Sequence, residues 1–302
     1  MDSNVLQRFI DRQIDSWRLA ADNTRQLSQV QTRHIDIGPR HITLQYNPSR
    51  RISTAAKTDT ASIKARPCFL CHANRPQAQE YIDWHDYHIL LNPFPIFPQH
   101  LTIAHKSHIP QRINGNISHM AALAQELHGF TVFYNGPLCG ASAPDHLHFQ
   151  AAPTQYFPIW ETIDTTCPVH TAPNIEVYDI CPAIFLIHAA NSEEMERNVC
   201  SILALLPADE STGEPKLNIL MRDTGMSLQA VVIPRRAHRP YNFAHDPSDT
   251  SRILISPASV DMSGVIISVR PSDFTGLTPQ QITNLYLEVG YNHSQLINIL
   301  RP

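Results

Sequence analysis

Short segments of alternating apolar and polar residues, separated by prolines and by single helical stretches, most constrain the fold of this chain. Residues 4–33 predict a helical region, because apolar side chains recur near helical spacing and no proline interrupts them. Residues 33–37 and 41–46 then alternate around Gly38-Pro39, which predicts a β-hairpin. Hairpins that alternate with single helices favour an α+β fold over a parallel, doubly wound sheet.

The second half of the chain repeats this texture more weakly. Residues 183–188, 217–221, 228–233 and 265–269 read as strands, and residues 193–206 and 278–298 read as helices. The sequence therefore predicts two related halves, residues 1–165 and residues 166–302. No chemical motif of the first half recurs in the second.

Composition and charge exclude several classes of function. The net charge of the 302 residues is −4, so no overall basic field invites nucleic acid or a membrane surface, and any anionic ligand must be held by local charges. The chain has 24 prolines and only 10 glycines, and it lacks a Walker A motif. No secretory signal and no membrane-spanning apolar run are present, so we expect a cytoplasmic protein with no membrane partner.

One strand-like run, Asp145–Gln150, carries most of the chemical signal. On a strand, the side chains of His146, His148 and Gln150 share one face, while Leu147 and Phe149 occupy the other. The apolar face would pack on the core and the polar face would line a site. Such alternation also fits any half-buried strand, so this run needs support from elsewhere.

A Cys-x-x-Cys pair, Cys68 and Cys71, gives that support. Two cysteines at this spacing suit a tetrahedral zinc ion, and they also suit a redox pair. A redox pair is less consistent with the context, because the cysteines follow a basic coil and not a strand of a βαβ unit. With two histidines the set would become Cys2His2 and would hold a structural Zn²⁺. The residues alone do not say which two histidines.

Four segments together resemble the galactose-1-phosphate uridylyltransferase branch of the histidine-triad superfamily. They are Arg66–Cys71, Ala104–Pro110, Tyr134-Asn135 and His146–Gln150. The nearest resemblance is to the group of GDP-L-galactose phosphorylase and related bacterial proteins. The resemblance implies an antiparallel histidine-triad-like sheet flanked by helices, and it leaves open whether the chain forms a homodimer.

The resemblance also implies a role for each matching residue. His148 corresponds to the nucleophile, Gln150 to a glutamine that contacts the substrate phosphates, and Asn135 to an asparagine near those phosphates. The implied zinc ligands are Cys68, Cys71, His105 and His146. The family has a serine in the loop before the motif, where this chain has Ala143, so Ser142 becomes the candidate phosphate contact and the uridylyl substrate pair becomes uncertain.

The implied reaction is nucleotidyl transfer through a nucleotidyl-histidine intermediate. A nucleoside-diphosphate sugar would be attacked by His148, and the nucleoside monophosphate group would pass to phosphate or to a sugar 1-phosphate. Gln150 disfavours hydrolysis, because hydrolases of the superfamily carry a titratable histidine there. The alternatives are a dinucleoside polyphosphate phosphorylase or hydrolase, and a zinc-stabilised nucleotide-binding module without turnover.

Two basic regions are further candidates for phosphate binding. Arg50 or Lys57, in the basic run before the cysteines, could reach a diphosphate, as the family's basic N-terminal segment does. Arg235 directly follows a predicted strand, where a guanidinium could hold phosphate oxygens in a bidentate manner. Solvated surface charge is the alternative for both regions.

Overall fold

The computed structural model describes residues 2–50 and 60–301. The helices within these residues are α1 (Ser3–Ser16), α2 (Arg18–Leu27), α3 (Thr60–Lys64), α4 (Ile117–Glu126), α5 (Pro158–Thr165), α6 (Ser192–Leu203), α7 (Ser259–Met262), α8 (Pro271–Gly276), α9 (Pro279–Val289) and α10 (His293–Leu300). The strands are β1 (Gln31–Ile37), β2 (Arg40–Tyr46), β3 (Ile82–Trp84), β4 (Tyr87–Leu91), β5 (Leu101–His105), β6 (Phe130–Asn135), β7 (His148–Pro153), β8 (His170–Ala172), β9 (Ile175–Tyr178), β10 (Ile184–Ala189), β11 (Leu217–Asp223), β12 (Leu228–Pro234) and β13 (Val265–Ser268). None of the helices in these two ranges has the length and apolar character to cross a bilayer.

Ten strands form one antiparallel sheet in the order β3-β4-β5-β7-β6-β11-β12-β10-β9-β8. Read inward from its two edges, the sheet has the same connectivity twice, with β3-β4-β5-β7-β6 matching β8-β9-β10-β12-β11. In each set one helix connects the third strand in chain order to the fourth: α4 connects β5 to β6, and α6 connects β10 to β11. The pairing of β6 with β11 joins the two sets at the centre. The α+β fold is confirmed, whereas the division at residue 165 stays a prediction.

A second sheet has three strands and pairs β1 and β2, from the early part of the chain, with β13, from its late part. The predicted hairpin around Gly38 is confirmed, since β1 and β2 pair in an antiparallel manner from Gln31 to Tyr46. Strand β13 then adds in parallel to β2, with Thr43 opposite Val265. This small sheet and the short helix α7 that precedes β13 cover part of one face of the large sheet.

The large sheet has an apolar core on each face. Successive residues in β7 and directly before it alternate between these two faces. Leu147 and Phe149 point into the core that includes α4 and α6. On the other face, Phe133 and residues of the small sheet belong to the second core. Because side chains alternate along a strand, His148 and Gln150 lie on this second face.

Two predicted helices are shorter in the structure than in the sequence analysis. The region predicted over residues 4–33 breaks at Trp17, whose backbone is extended, and it ends before β1. The closing helix predicted over residues 278–298 stops at Val289. A Cβ on Gly290 would lie 2.5 Å from the ring of Pro182, so glycine permits this close approach and the chain turns there before α10.

Candidate active site

A cavity of about 650 Å³ opens beside β7 on the second face of the large sheet. Both halves of the chain line it. The first half contributes strand residues and aromatic side chains, and the second contributes the segment that leads into α7 and β13. The polar and charged side chains used below are Arg50, Arg66, Asn135, Ser142, His148, Gln150, His238, Arg239, Ser256 and Asp261.

His148 lies at the first position of β7 and lines this cavity with a single ring nitrogen available. Its Nδ1–H donates to the carbonyl oxygen of His146 at 2.8 Å, so the tautomer is fixed and Nε2 carries the free lone pair. Burial lowers the pKa of His148 to about 4, and the ring is therefore neutral near pH 7. A neutral, oriented imidazole on a cavity wall is the arrangement that nucleophilic attack requires.

The side chain of Gln111 holds the backbone of His148 in place. Its Oε1 accepts from the His148 N–H at 2.7 Å, and its Nε2 donates to the carbonyl oxygens of His148 at 3.0 Å and Asn135 at 2.9 Å. Strands β6 and β7 pair only as far as Phe133 and Gln150. The Gln111 amide thus takes the place of a neighbouring strand where these two strands separate.

We expect Gln111→Glu to lower turnover by about 10²-fold, because a carboxylate cannot donate to the two carbonyls and the His148 ring would shift within the cavity. Turnover and melting temperature of the variant are the measurements, and Gln280→Glu on an exposed helix position is the matched control. Wild-type turnover in a folded Gln111→Glu protein would show that this amide does not position His148.

Gln150 presents an amide N–H₂ group to the cavity, and His100 sets this orientation. The backbone N–H of Ile96 donates to His100 Nδ1 at 3.2 Å, so the ring hydrogen resides on Nε2. That N–H donates to Gln150 Oε1 at 2.8 Å. With its oxygen bound on this side, Gln150 has its nitrogen left as a hydrogen-bond donor, which suits a phosphate oxygen.

The burial of His100 leads us to expect that the folded protein loses stability in acid. It is fully buried, and desolvation together with Arg50 lowers its pKa to about 3. Between pH 6.5 and pH 3 the unfolded chain therefore binds a proton that the folded chain does not. Stability should fall as pH decreases through this window, by up to about 1.4 kcal/mol per pH unit from this group.

Urea unfolding at several pH values checks this slope. His100→Asn should give a shallower dependence than the wild type, whereas Gln280→Asn, an exposed substitution without a titratable group, should leave it unchanged. Equal slopes in all three proteins would mean that His100 binds its proton equally in the folded and the unfolded chain.

Asn135 and Ser142 approach the cavity from β6 and from the loop that follows it. The Asn135 oxygen accepts from Asn218 Nδ2 at 3.1 Å and from the Ser259 N–H at 2.7 Å. Its amide nitrogen has no hydrogen-bond partner among the described residues. Ser142 is exposed, and its carbonyl oxygen accepts from Arg66 Nη2 at 2.7 Å.

Three guanidinium groups make the cavity suitable for an anion. Arg50, half-buried, donates to the Phe94 carbonyl, and desolvation lowers its pKa to about 10, so it remains charged near neutral pH. Arg66 lies over the Phe69 ring at 4.8 Å, and Arg239 donates from Nε to Ser256 Oγ at 2.9 Å. Asp261, the one carboxylate that the described residues contribute to the lining, accepts from two backbone N–H groups. Lys57 lies outside the described residues.

The structure corrects the role predicted for Arg235. This side chain is 2% exposed and does not line the cavity. Its guanidinium donates to five protein oxygens, which leaves no N–H for a substrate. The sequence showed a guanidinium after a strand, but it could not show that the strand end is covered by the segment around Pro257 and by Val289.

Next to the cavity, Cys68, Cys71, His108 and His146 form a cluster whose candidate ligand atoms all lie within 4.8 Å of one another. Sγ–Nδ1 distances are 3.3 Å for Cys68–His146 and 3.2 Å for Cys71–His108. A tetrahedral zinc ion with ordinary bond lengths needs sulfur–nitrogen separations of about 3.6 Å. Two thiolates and two neutral imidazoles would also balance the charge of Zn²⁺, so these residues fit a closed structural site.

The fourth member of this cluster is His108, whereas the sequence analysis had named His105. The His105 ring packs edge-on against Tyr87 at 5.1 Å, and its Nδ1 accepts from the Ser107 N–H. It takes part in the cluster only through its carbonyl oxygen, which accepts from His146 Nε2–H at 2.7 Å. The chain turns after β5, and this turn brings the residue three positions later to the two cysteines.

Several cavity residues were missed in the sequence analysis. Trp17 lines the cavity because the helical region breaks at this residue. His238, Ser256 and Asp261 come from the second half, and only their position in the fold brings them to His148. Gln111 and His100, which hold His148 and Gln150 in place, were also not predicted. Polar residues next to a strand are common on protein surfaces, so their presence in the sequence does not indicate a site.

Comparisons with known proteins agree with this fold. The profile of a family described as Domain of unknown function (DUF4922) matches residues 9–153. No match to a curated protein is found. The crystal structure of yeast Ap4A phosphorylase Apa2 is similar, with a TM-score of 0.61 and 16% identity over 91% of this chain and 97% of that one.

The same yeast protein in complex with Ap4A gives a TM-score of 0.61 and 16% identity over 92% of this chain and 97% of that one. An ADP-glucose phosphorylase from Arabidopsis thaliana, with bound ADP-glucose, matches with a TM-score of 0.34 and 11% identity over 84% of this chain and 98% of that one. The similarity to Apa2 shows that the two proteins share a fold, and the histidine-triad-like architecture expected from the sequence is confirmed.

Proposed function

We propose that this protein is a nucleotidyltransferase that forms a nucleotidyl-histidine intermediate on His148. The observation that carries the proposal is the His148 ring, held by the His146 carbonyl and facing a cavity lined by three arginines. Nε2 attacks the α-phosphorus, a phosphorus–nitrogen bond forms, and the bond from phosphorus to the leaving phosphate oxygen breaks. A second phosphate oxygen then attacks and releases the histidine.

The neighbouring side chains supply hydrogen bonds and charge for this transfer. The amide nitrogens of Asn135 and Gln150 would donate to the phosphate oxygens, with Ser142 as a further donor, and Arg50 or Arg66 would stabilise the charge on the diphosphate. None of these groups needs to titrate. Gln150 in particular cannot act as a general acid or base toward water, which favours transfer or phosphorolysis over hydrolysis.

The substrate proposed here is a nucleoside-diphosphate sugar, with phosphate or a sugar 1-phosphate as the acceptor. Dinucleoside polyphosphates are the second candidate class. Exposed Phe69 and Phe94, together with Trp17, give the cavity several apolar rings that could contact two bases. The fold shared with the yeast Ap4A phosphorylase supports the same candidate. A structural zinc ion on Cys68, Cys71, His108 and His146 would brace the start of β7 without contacting the substrate.

Covalent labelling tests the proposal. The protein is incubated with nucleotide sugars and with dinucleoside polyphosphates that carry ³²P at the α-position, and the denatured protein is counted. We expect label that is stable to alkali and lost in acid, as for a phosphoramidate, and we expect none in His148→Ala. Addition of inorganic phosphate should release the label as a nucleoside diphosphate.

The same experiment separates the alternatives. Label from the dinucleotide alone would assign the second substrate class. Tight nucleotide binding without label from either class would support a binding module without turnover and contradict the proposal. His128→Ala, which removes an exposed histidine, should label as the wild type does.

A further inference from the structure

The buried guanidinium of Arg235 donates hydrogen bonds to three separate segments of the second half of the chain. Its Nε donates to the Val289 carbonyl at 3.2 Å, and Nη1 donates to the Pro257 carbonyl at 3.1 Å. Its Nη2 donates to the carbonyls of Ala237 at 3.1 Å and His238 at 2.9 Å. These four bonds fix the plane of the guanidinium, so the direction of the remaining Nη1 hydrogen bond is fixed as well.

That remaining bond orients the side chain of Asn218 on β11. Arg235 Nη1 donates to Asn218 Oδ1 at 2.6 Å, which assigns the oxygen of this amide to the arginine side. The Asn218 nitrogen must then face the other way. It donates to the Cys139 carbonyl at 2.8 Å and to Asn135 Oδ1 at 3.1 Å.

Asn218 in turn orients Asn135, its partner across the β6–β11 pair. The Asn135 oxygen accepts from Asn218 and also from the Ser259 N–H at 2.7 Å, and the Ser259 hydroxyl lies 2.8 Å from it, so all of its partners are residues that do not line the cavity. The amide nitrogen of Asn135 is left for the cavity. If this amide were reversed, it would present an oxygen to an anionic phosphate and would repel it.

We propose that Arg235 and Asn218 are positioning residues, which hold the Asn135 amide with its N–H₂ group toward the phosphate of the substrate. The inference rests on the proposed function, because it takes Asn135 as a phosphate contact. It gives the second half of the chain a role in substrate binding through residues that the substrate never touches. The pathway crosses the centre of the large sheet, from the end of β12 through β11 to β6.

Two substitutions of Asn218 distinguish an effect on the orientation of the Asn135 amide from a simple loss of contacts. In Asn218→Asp the carboxylate can still pair with Arg235, but it cannot donate to Asn135 Oδ1, and its repulsion of that oxygen acts against the hydrogen bond from the Ser259 N–H. In Asn218→Ala the Ser259 N–H still holds the Asn135 oxygen. We therefore expect the affinity for inorganic pyrophosphate, measured by calorimetry, to fall by about 10-fold or more in Asn218→Asp and by less in Asn218→Ala.

Combination with Asn135→Ala tests whether the effect travels through Asn135. Asn135→Ala alone should weaken pyrophosphate binding, and adding Asn218→Asp to it should change the affinity by less than about twofold. The matched control is Asn284→Asp at an exposed position. Melting temperatures report on the fold, and Asn218→Ala serves as the test variant if Asn218→Asp does not fold, with the same loss of effect expected in the Asn135→Ala background.

Three results would overturn the proposal. They are equal effects of Asn218 substitution with and without Asn135, affinity that follows the melting temperature across the variants, and absence of pyrophosphate binding by the wild type. None of them depends on covalent labelling of His148, so failure of this inference and failure of the proposed function are distinguishable.

Discussion

Replacement of His148 by alanine should abolish turnover, with a decrease of at least about 10³-fold in kcat. The reason is that Nε2 of this ring is the nucleophile of the proposed reaction, and water at the same position cannot form a covalent intermediate. Nucleotide affinity should change by only a few-fold, because Asn135, Gln150 and the arginines remain. Steady-state kinetics and calorimetry on the same preparation measure the two quantities.

His128→Ala is the control for this experiment, since it removes an exposed histidine that lies outside the cavity. Zinc content should be equal in the wild type and in His148→Ala, because His148 is not a member of the cysteine–histidine cluster. A residual rate near that of the wild type would contradict the nucleophile assignment, even if the protein binds nucleotides well.

Removal of the zinc ion proposed for the cysteine–histidine cluster should lower the melting temperature by an amount on the order of 10 °C. The cluster joins the segment around Cys68 and Cys71 to the residues that precede β7, and without an ion two thiols and two imidazoles would be left close together. Purified protein should contain one zinc per chain by elemental analysis. Treatment with a strong chelator, followed by thermal unfolding, measures the loss of stability.

Single substitutions test the ligand set of this site. His108→Ala and Cys71→Ser should lose the metal and show the lowered melting temperature. His105→Ala should retain the metal, because its ring packs against Tyr87 and lies outside the cluster. Cys167→Ser, at an exposed cysteine, should match the wild type. Loss of zinc in His105→Ala with retention in His108→Ala would reverse the assignment.

The sequence predicted the parts of the site that depend on local periodicity. The alternation in Asp145–Gln150 predicts that His146, His148 and Gln150 share one face. In the structure His148 and Gln150 line the cavity, whereas His146 precedes β7 and belongs to the cysteine–histidine cluster. The hairpin around Gly38 follows from local turn chemistry in the same way. These features depend on residues adjacent in the chain, so a single sequence contains the information they need.

Features that depend on distant segments were not predictable in this way. The cluster contains His108 and not His105, because the chain turns after β5 and carries His108 to the two cysteines. The burial of Arg235 depends on Val289 and Pro257, far along the sequence, and their carbonyl oxygens convert a presumed phosphate ligand into a structural junction. In each case the type of residue was informative, but its surroundings were set by tertiary packing.

The parallel pairing of β13 with β2 has a consequence for how the protein is made. Thr43 and Val265 can meet only after the long stretch of chain between them has been synthesised, and contacts between such distant residues carry a large loop-closure entropy and slow folding. Helix α7 and its neighbours reach the cavity through this pairing. We therefore expect a nascent chain on the ribosome to form the first half of the large sheet early and to complete the cavity only after β13 has been synthesised.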